Sequence, residues 1–407
     1  MMAKRGRRSA GEWSVRGLLA AVALIAGYVS VNRTLAFSLR TSDAAQAHAL
    51  APGDGRITAL LARQTVGAEA AVADQARADK LARAALRQDP TAVPAVATLG
   101  LNAQLRGNAE GARRLFAYAQ VLSRRDIPTQ IWAIEDAVAR GGVNDALNHY
   151  DIALRVSPTA SDLLFPILAS AIADPAIRAA LIRTLTARPA WGEPFLSYVS
   201  IRGPNPRATA RLLTGLKRAG LPVSQNATAE IINLLFSNEL LDDAWSYYMA
   251  IHPRADRQRS RDPSFGADLG SPSPLDWNPV NDAGVVTGIQ RGDNGGSFDF
   301  AAPPSIGGSL LRQVQLLRAG SYRLRGHSIA IDQPDDSLPY WTLSCRDGRE
   351  LGRVVVTASA KANGWFEGRF VVPAGCPVQV LTLVARPSDN VSGLSGQIDK
   401  VQLHPAS

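Results

Sequence analysis

The side chains able to do chemistry in this chain are few, and their spacing does not bring them together. The five histidines, His48, His149, His252, His327 and His404, form no His-x3-His pair and no His-Glu-x2-His run. Those are the spacings that put two zinc ligands on one helical face. No Gly-x-Ser-x-Gly turn presents a nucleophilic serine, and no Gly-x4-Gly-Lys-Ser/Thr loop offers backbone N–H groups to a phosphate. Asp335, Asp336 and Glu367 are the right groups for acid–base cleavage of a glycosidic bond, but nothing pairs them across a substrate. Arg291-Gly292-Asp293 matches a cell-adhesion tripeptide, yet it lies in a glycine-rich turn whose own chemistry accounts for it. The expectation is a protein that binds, not one that catalyses.

Two features suit recognition. Phe366, Phe370 and Val372 share one strand face, so Trp365 points the other way. A tryptophan exposed beside Gly364 can stack on a sugar ring; the alternative is packing under a neighbouring loop. Likewise, if Tyr322 and Leu324 point inward, Arg323, Arg325 and His327 line the outer face. That strip either meets an acidic polysaccharide or is a solvated surface. Cys345 and Cys376, the only cysteines, lie in the same region. They read as one disulfide in an oxidising compartment, or else as two buried thiols.

The elements that position these residues have a period of two from Leu275 onward. Ser297 to Phe300 alternates, Trp341, Leu343 and Cys345 share a face, and so do Leu381, Leu383 and Ala385. Val354, Val355 and Val356 read as a strand buried on both sides. Turns at Gly320, Gly348, Gly364 and Gly375 separate about eight short strands, which predicts an antiparallel β-sandwich over 275–407. Charged residues followed by a Gly/Ser/Pro-rich run mark 254–274 as a linker.

Earlier in the chain, residues recur at a step of 34. Ala78, Ala112 and Ala146 form one column, Ala85, Ala119 and Ala153 a second, and Ala82, Phe116 and Tyr150 a third, with Pro90 and Pro158 closing their units. This phrase, Ala-x3-Phe/Tyr-x2-Ala-x4-Pro, resembles the second helix of a tetratricopeptide repeat, clear for three units and faint to the end of 57–253. The resemblance implies an α-α solenoid that takes a protein partner along the first helix of each unit. Here those positions are Leu101, Gln104, Leu105, Ile131, Glu135 and Val138, mostly apolar and suited to a helix or apolar segment. The last 133 or so residues resemble jelly-roll carbohydrate-binding modules. Trp277 comes early, Gly320-x-Tyr322-x-Leu324 follows, and Ile398-Asp399-x-Val401 lies in the closing strand. That likeness implies sugar binding. It also raises structural calcium at Asp293, Asp299 and Asp399, against the plain reading of surface carboxylates and no cofactor.

The net charge of +9 is concentrated at the start of the chain. Lys4, Arg5, Arg7, Arg8, Arg16, Arg33 and Arg40 oppose only Glu12 in the first forty residues. No basic stripe interleaved with aromatics follows, which argues against nucleic acid. Residues 17–31 carry no charge and follow the basic flank 1–14. A segment over 15–39 is expected to be an uncleaved anchor, with a cleaved signal as the alternative. Either way the basic side stays in the cytoplasm and the bulk of the chain is exported, to the periplasm of a bacterium if anchored in its inner membrane. The expected whole is an α+β multidomain chain of single transmembrane helix, helical solenoid and sandwich. Its expected function is a non-enzymatic envelope scaffold, in surface polysaccharide assembly or export. A glycan-active enzyme and a purely protein–protein module are the alternatives.

Overall fold

The computed structural model describes residues 10–66, 71–268, 270–282, 284–292, 295–388, 391 and 393–406. Fourteen α-helices precede two antiparallel sheets among these residues. The chain divides into two compact units, one ending at Leu164 and the other beginning at Phe165.

The first unit opens with α1 (Ala10–Leu39), a 30-residue helix. At 1.5 Å per residue it is about 45 Å long, more than the roughly 30 Å of a bilayer's hydrocarbon core. Its apolar side chains, from Trp13 to Val31, are exposed, as a lipid-facing helix requires. The far end is different. Ala36 is fully buried with Ala47 of α2 (Ala44–Leu50) and Ile57 of α3 (Gly55–Gln64). Three hairpins follow: α3 with α4 (Val72–Gln88), α5 (Val93–Leu105) with α6 (Ala109–Leu122), and α7 (Ile127–Ala139) with α8 (Val143–Val156). Side chains of Asp54, Asn108 and Asp126 accept from the first free N–H groups of α3, α6 and α7. Gly107 and Gly141 end α5 and α7 at positive φ, and the next N–H reaches back to Ala103 O and Ala137 O at 2.9 and 2.8 Å.

The 34-residue columns lie in these hairpins. Ala78, Ala82, Ala85, Ala112, Ala119 and Ala153 are completely buried, which lets paired helices approach closely. Phe116 fills the space beyond its column by stacking on Trp132 of α7, ring centroids 4.2 Å apart.

The second unit takes over within α9 (Ala160–Ala171) and continues through α10 (Pro175–Thr186), α11 (Gly192–Arg202), α12 (Pro206–Arg218), α13 (Gln225–Ser237) and α14 (Leu241–Ile251). Leucines and isoleucines replace alanine as the packing residues here, among them Leu181, Leu212, Leu216, Ile231 and Leu235. Beyond the point where the repeated phrase fades, α13 packs on α14 and α11, and α12 packs on α10 and α14.

Among the described residues ten strands form the sandwich. One sheet has the order β1 (Asn278–Pro279), β4 (Gly308–Gln315), β9 (Gln379–Ala385), β6 (Tyr340–Cys345), β7 (Glu350–Val355). The other runs β2 (Val286–Gly292), β3 (Gly295–Ala302), β10 (Leu394–Pro405), β5 (Gly320–Ile329), β8 (Trp365–Val372). Trp277, Phe298, Leu324, Trp341, Phe370 and Leu383 are in the shared core. The expected doubly buried strand is corrected: Val354 and Val356 are buried, but Val355 is 39% exposed. β7 is an edge strand and keeps the ordinary alternation.

Residues 254–274 are no loose linker either. Phe265 is a fully buried member of the sandwich core. Ser260 N–H donates to Leu403 O at 2.9 Å, and Val401 N–H to Pro263 O at 2.9 Å, so the segment is bonded to β10. Trp277 Nε1–H donates to Asp262 O at 2.9 Å.

Cys345, at the end of β6, is joined to Cys376 in a disulfide spanning 31 positions. Closing a loop of that length removes chain entropy from the unfolded state. Reduction is expected to lower stability by about 2–4 kcal/mol, read as a drop in the urea midpoint with and without reductant.

Candidate functional site

A turn places the first candidate. Asn363 and Gly364 both have positive φ, and a Cβ on Gly364 would lie 2.3 Å from Ser328 O. Only glycine allows the chain to approach β5 so closely before entering β8. Pairing then sets His327 opposite Trp365, Arg325 opposite Glu367 and Arg323 opposite Arg369. The inward side chains Tyr322, Leu324, Phe366 and Phe370 are buried, so the others share the outer face.

Trp365 is 38% exposed. The Arg325 guanidinium lies over its ring, 4.5 Å from the centroid, and the His327 ring is 5.1 Å away. His327 is fixed at both nitrogens, Nδ1 against Asp399 Oδ1 at 2.7 Å and Nε2 against Asn363 O at 3.0 Å. Arg323 Nε faces Glu367 Oε1 at 3.4 Å. The structure thus brings Trp365, Arg325 and His327 into one cluster, with Arg323 beside it. It also supplies the carboxylates that offset the strip's charge, which the sequence could not show because Asp399 comes from β10. An aromatic plate with fixed polar neighbours suits the face of a sugar ring plus hydrogen bonds to its hydroxyls.

The second candidate lies in the first unit. Leu101 and Glu135 line a cavity of 320 Å³ together with Arg63, Ile131 and Trp132. Leu105, 41% exposed, and the exposed Gln104 continue along α5 outside that lining. Trp132 was not singled out from sequence, although it follows Ile131 directly and its partner Phe116 stood in a repeat column.

A third cluster was invisible in the sequence. Tyr248 Oη donates to Asp276 Oδ1 at 2.7 Å, and Asp276 Oδ2 accepts from Ser273 N–H at 2.9 Å and Ser273 Oγ at 2.6 Å, all buried. Near them the buried Arg261 guanidinium donates to Leu275 O at 2.9 Å, to Gln315 Oε1 at 2.9 Å and to Val314 O. Burial draws its pKa down to about 10. These bonds tie α14 to the start of the sandwich. The His252 ring lies tilted against Tyr248 with ring centroids 4.5 Å apart.

Burial holds His252 and, in the first unit, His149 below the usual imidazole value of 6.5. Asp276 opposes this shift at His252 and Lys217 adds to it; Asp145 opposes it at His149, while Arg124 and Arg140 add to it. A base with a lowered folded-state pKa is neutral in both states well above 6.5 and costs nothing there. As pH falls below about 6.5 the unfolded chain protonates first, so stability falls. The melting temperature is expected to drop from pH 7 to pH 5, and to drop less in His149→Phe/His252→Phe.

The remaining candidates, apart from Asp399, are separate from these clusters. Asp335 pairs with Lys361 at 2.9 Å, and Asp336 accepts from Ser337 Oγ at 3.3 Å. Asp299 accepts from Ser297 Oγ at 2.8 Å, Asp399 is engaged by His327, and Asp293 lies outside the described residues. Arg291 pairs with Asp268 at 2.7 Å. Among the described residues no three His, Cys, Asp or Glu side chains are placed to hold one metal ion.

No protein-family model matches the chain, and no curated protein does. Solved structures give partial likenesses. A CBM4 structure is 14% identical over 37% of this chain and 99% of that one, with a TM-score of 0.27. Accessory secretory proteins 1, 2 and 3 of Streptococcus pneumoniae give 15% identity over 36% of this chain and 97% of that one, TM-score 0.23. The enzymatically active domain of bacteriophage CBA120 tailspike protein 4 gives 11% identity and a TM-score of 0.23, and the match spans only 19% of that chain. Scores this low assign neither family nor activity.

Proposed function

We propose that this chain is a non-enzymatic, membrane-anchored scaffold of the bacterial cell envelope, serving the assembly or export of a surface polysaccharide. Its sandwich contacts glycan through Trp365, Arg325 and His327. The observation that carries this reading is the half-exposed Trp365 ring, with a guanidinium and an imidazole beside it, the imidazole itself fixed at both nitrogens. The offset charges favour a neutral glycan at this face. The apolar cavity beside Leu101 and Trp132 is the docking groove for an apolar helical segment of a protein partner.

Retention of α1 as an anchor is supported by Ala36. Cleavage at the small residues near Ala36 would strip a fully buried side chain from the α2–α3 junction. The basic flank keeps the N-terminus in the cytoplasm and places the rest in the periplasm of the cell. A phosphatase fused after Ser407 should be active outside the cytoplasm; an inactive fusion would remove the export claim.

The binding claim is tested on a glycan array with the full chain in a neutral detergent. Binding to at least one neutral glycan, without release of shorter products, is expected. No binding to any glycan would leave a protein–protein module, and product release would make the chain an enzyme.

A further inference from the structure

α10, α12 and α14 surround an open depression of 570 Å³. Its lining includes Arg178, Arg207, Arg211 and Arg218 with one carboxylate, Asp243. On α12 the arginines stand at i, i+4 and i+11, a spacing that aligns them along one helical stripe about 16 Å long. Two of the four are held in place by the protein. Arg178 Nη1 donates to Ile172 O at 2.8 Å and Ala173 O at 3.3 Å, and Arg207 Nε meets Asp243 Oδ2 at 2.7 Å. Arg211 and Arg218, both exposed, have no such partner among the described residues. Like charges in a concave surface repel one another and raise the local potential, and an anion bridging them relieves both. Guanidinium forks bind carboxylate or phosphate through two parallel hydrogen bonds.

The surroundings select among anions. None of the large apolar side chains exposed among the described residues lies on α10, α12 or α14, so no wedge is available for a lipid surface. The one aromatic in the lining, Tyr247, is buried and offers no platform for a stacked base. We infer that this depression binds an acidic polysaccharide through carboxylates spaced along the chain, with Arg211 and Arg218 as the primary contacts. This rests on the glycan reading above but uses a different surface from Trp365.

The test is titration of the full chain in neutral detergent with polygalacturonate. Wild-type protein should bind, and the affinity should weaken steeply between about 50 and 500 mM salt. Arg211→Ala/Arg218→Ala, on an exposed helical surface where alanine favours the helix, should lose about tenfold or more. The paired lysine variant, which keeps charge but not the fork, should fall between. Binding of neutral glycan at Trp365 should be unchanged in all of these, so its failure would count against the earlier reading alone. Absence of polygalacturonate binding, equal binding by the alanine variant, or tighter arginine-dependent binding to anionic vesicles or single-stranded oligonucleotide would each overturn the inference.

Discussion

Asp276→Ala is expected to cost about 3–5 kcal/mol of stability. The carboxylate is buried and accepts from the Tyr248 hydroxyl and from both the N–H and the hydroxyl of Ser273. It is also a counter-charge for Arg261, whose guanidinium is otherwise held by carbonyl and amide oxygens. Removing it leaves a buried cation without its opposing charge and a buried phenol without its acceptor. Asp276→Asn keeps an acceptor for Tyr248 and should lose less. Urea denaturation of the full chain measures both. A loss under about 1 kcal/mol for the alanine variant would mean that this network does not hold α14 to the sandwich.

Trp341→Ala should cost about as much, roughly 3–5 kcal/mol, for a different reason. Its side chain is fully buried in the sandwich core, 5.8 Å from Trp277 between ring centroids, and nothing nearby can fill the cavity that truncation would leave without distorting close-packed neighbours. Trp341→Phe should be far milder than the size of the side chain suggests. The indole Nε1–H is buried without an acceptor among the described residues, and deleting it relieves a penalty of about 1–3 kcal/mol that offsets much of the lost volume. Thermal and urea unfolding of the two variants together separate packing from hydrogen bonding. A phenylalanine variant as unstable as the alanine variant would show that the indole has a partner.

What the sequence made legible follows from how local each signal is. The alanine columns fall inside α4, α6 and α8, where Ala78, Ala112 and Ala146 are buried, because periodicity is set within a few positions. Alternation placed Trp365 outward and Phe366 and Phe370 inward for the same reason. The region of α9 to α11 was harder: Pro166 interrupts the pattern inside α9, and leucines take over packing from the alanines. For residues 254–274 composition reports polarity and not the partners that the segment has in the sandwich. Arg261 and Phe265 are buried by strands that arrive up to 143 positions later, as in the pairing of Ser260 with Leu403. The candidate glycan face shows the same limit. Its aromatic could be found by alternation, whereas the carboxylates that offset its charges come from Glu367 on the facing strand and Asp399, 72 positions from His327.

The most direct measurement is the affinity of the full chain for its best array glycan, compared in wild type, Trp365→Phe and Trp365→Ala. Phenylalanine keeps an aromatic plate under the sugar and should retain most of the binding. Alanine should lose about tenfold or more while the melting temperature stays close to wild type. An alanine variant that folds normally and binds as tightly as wild type would contradict the assignment of this face to glycan.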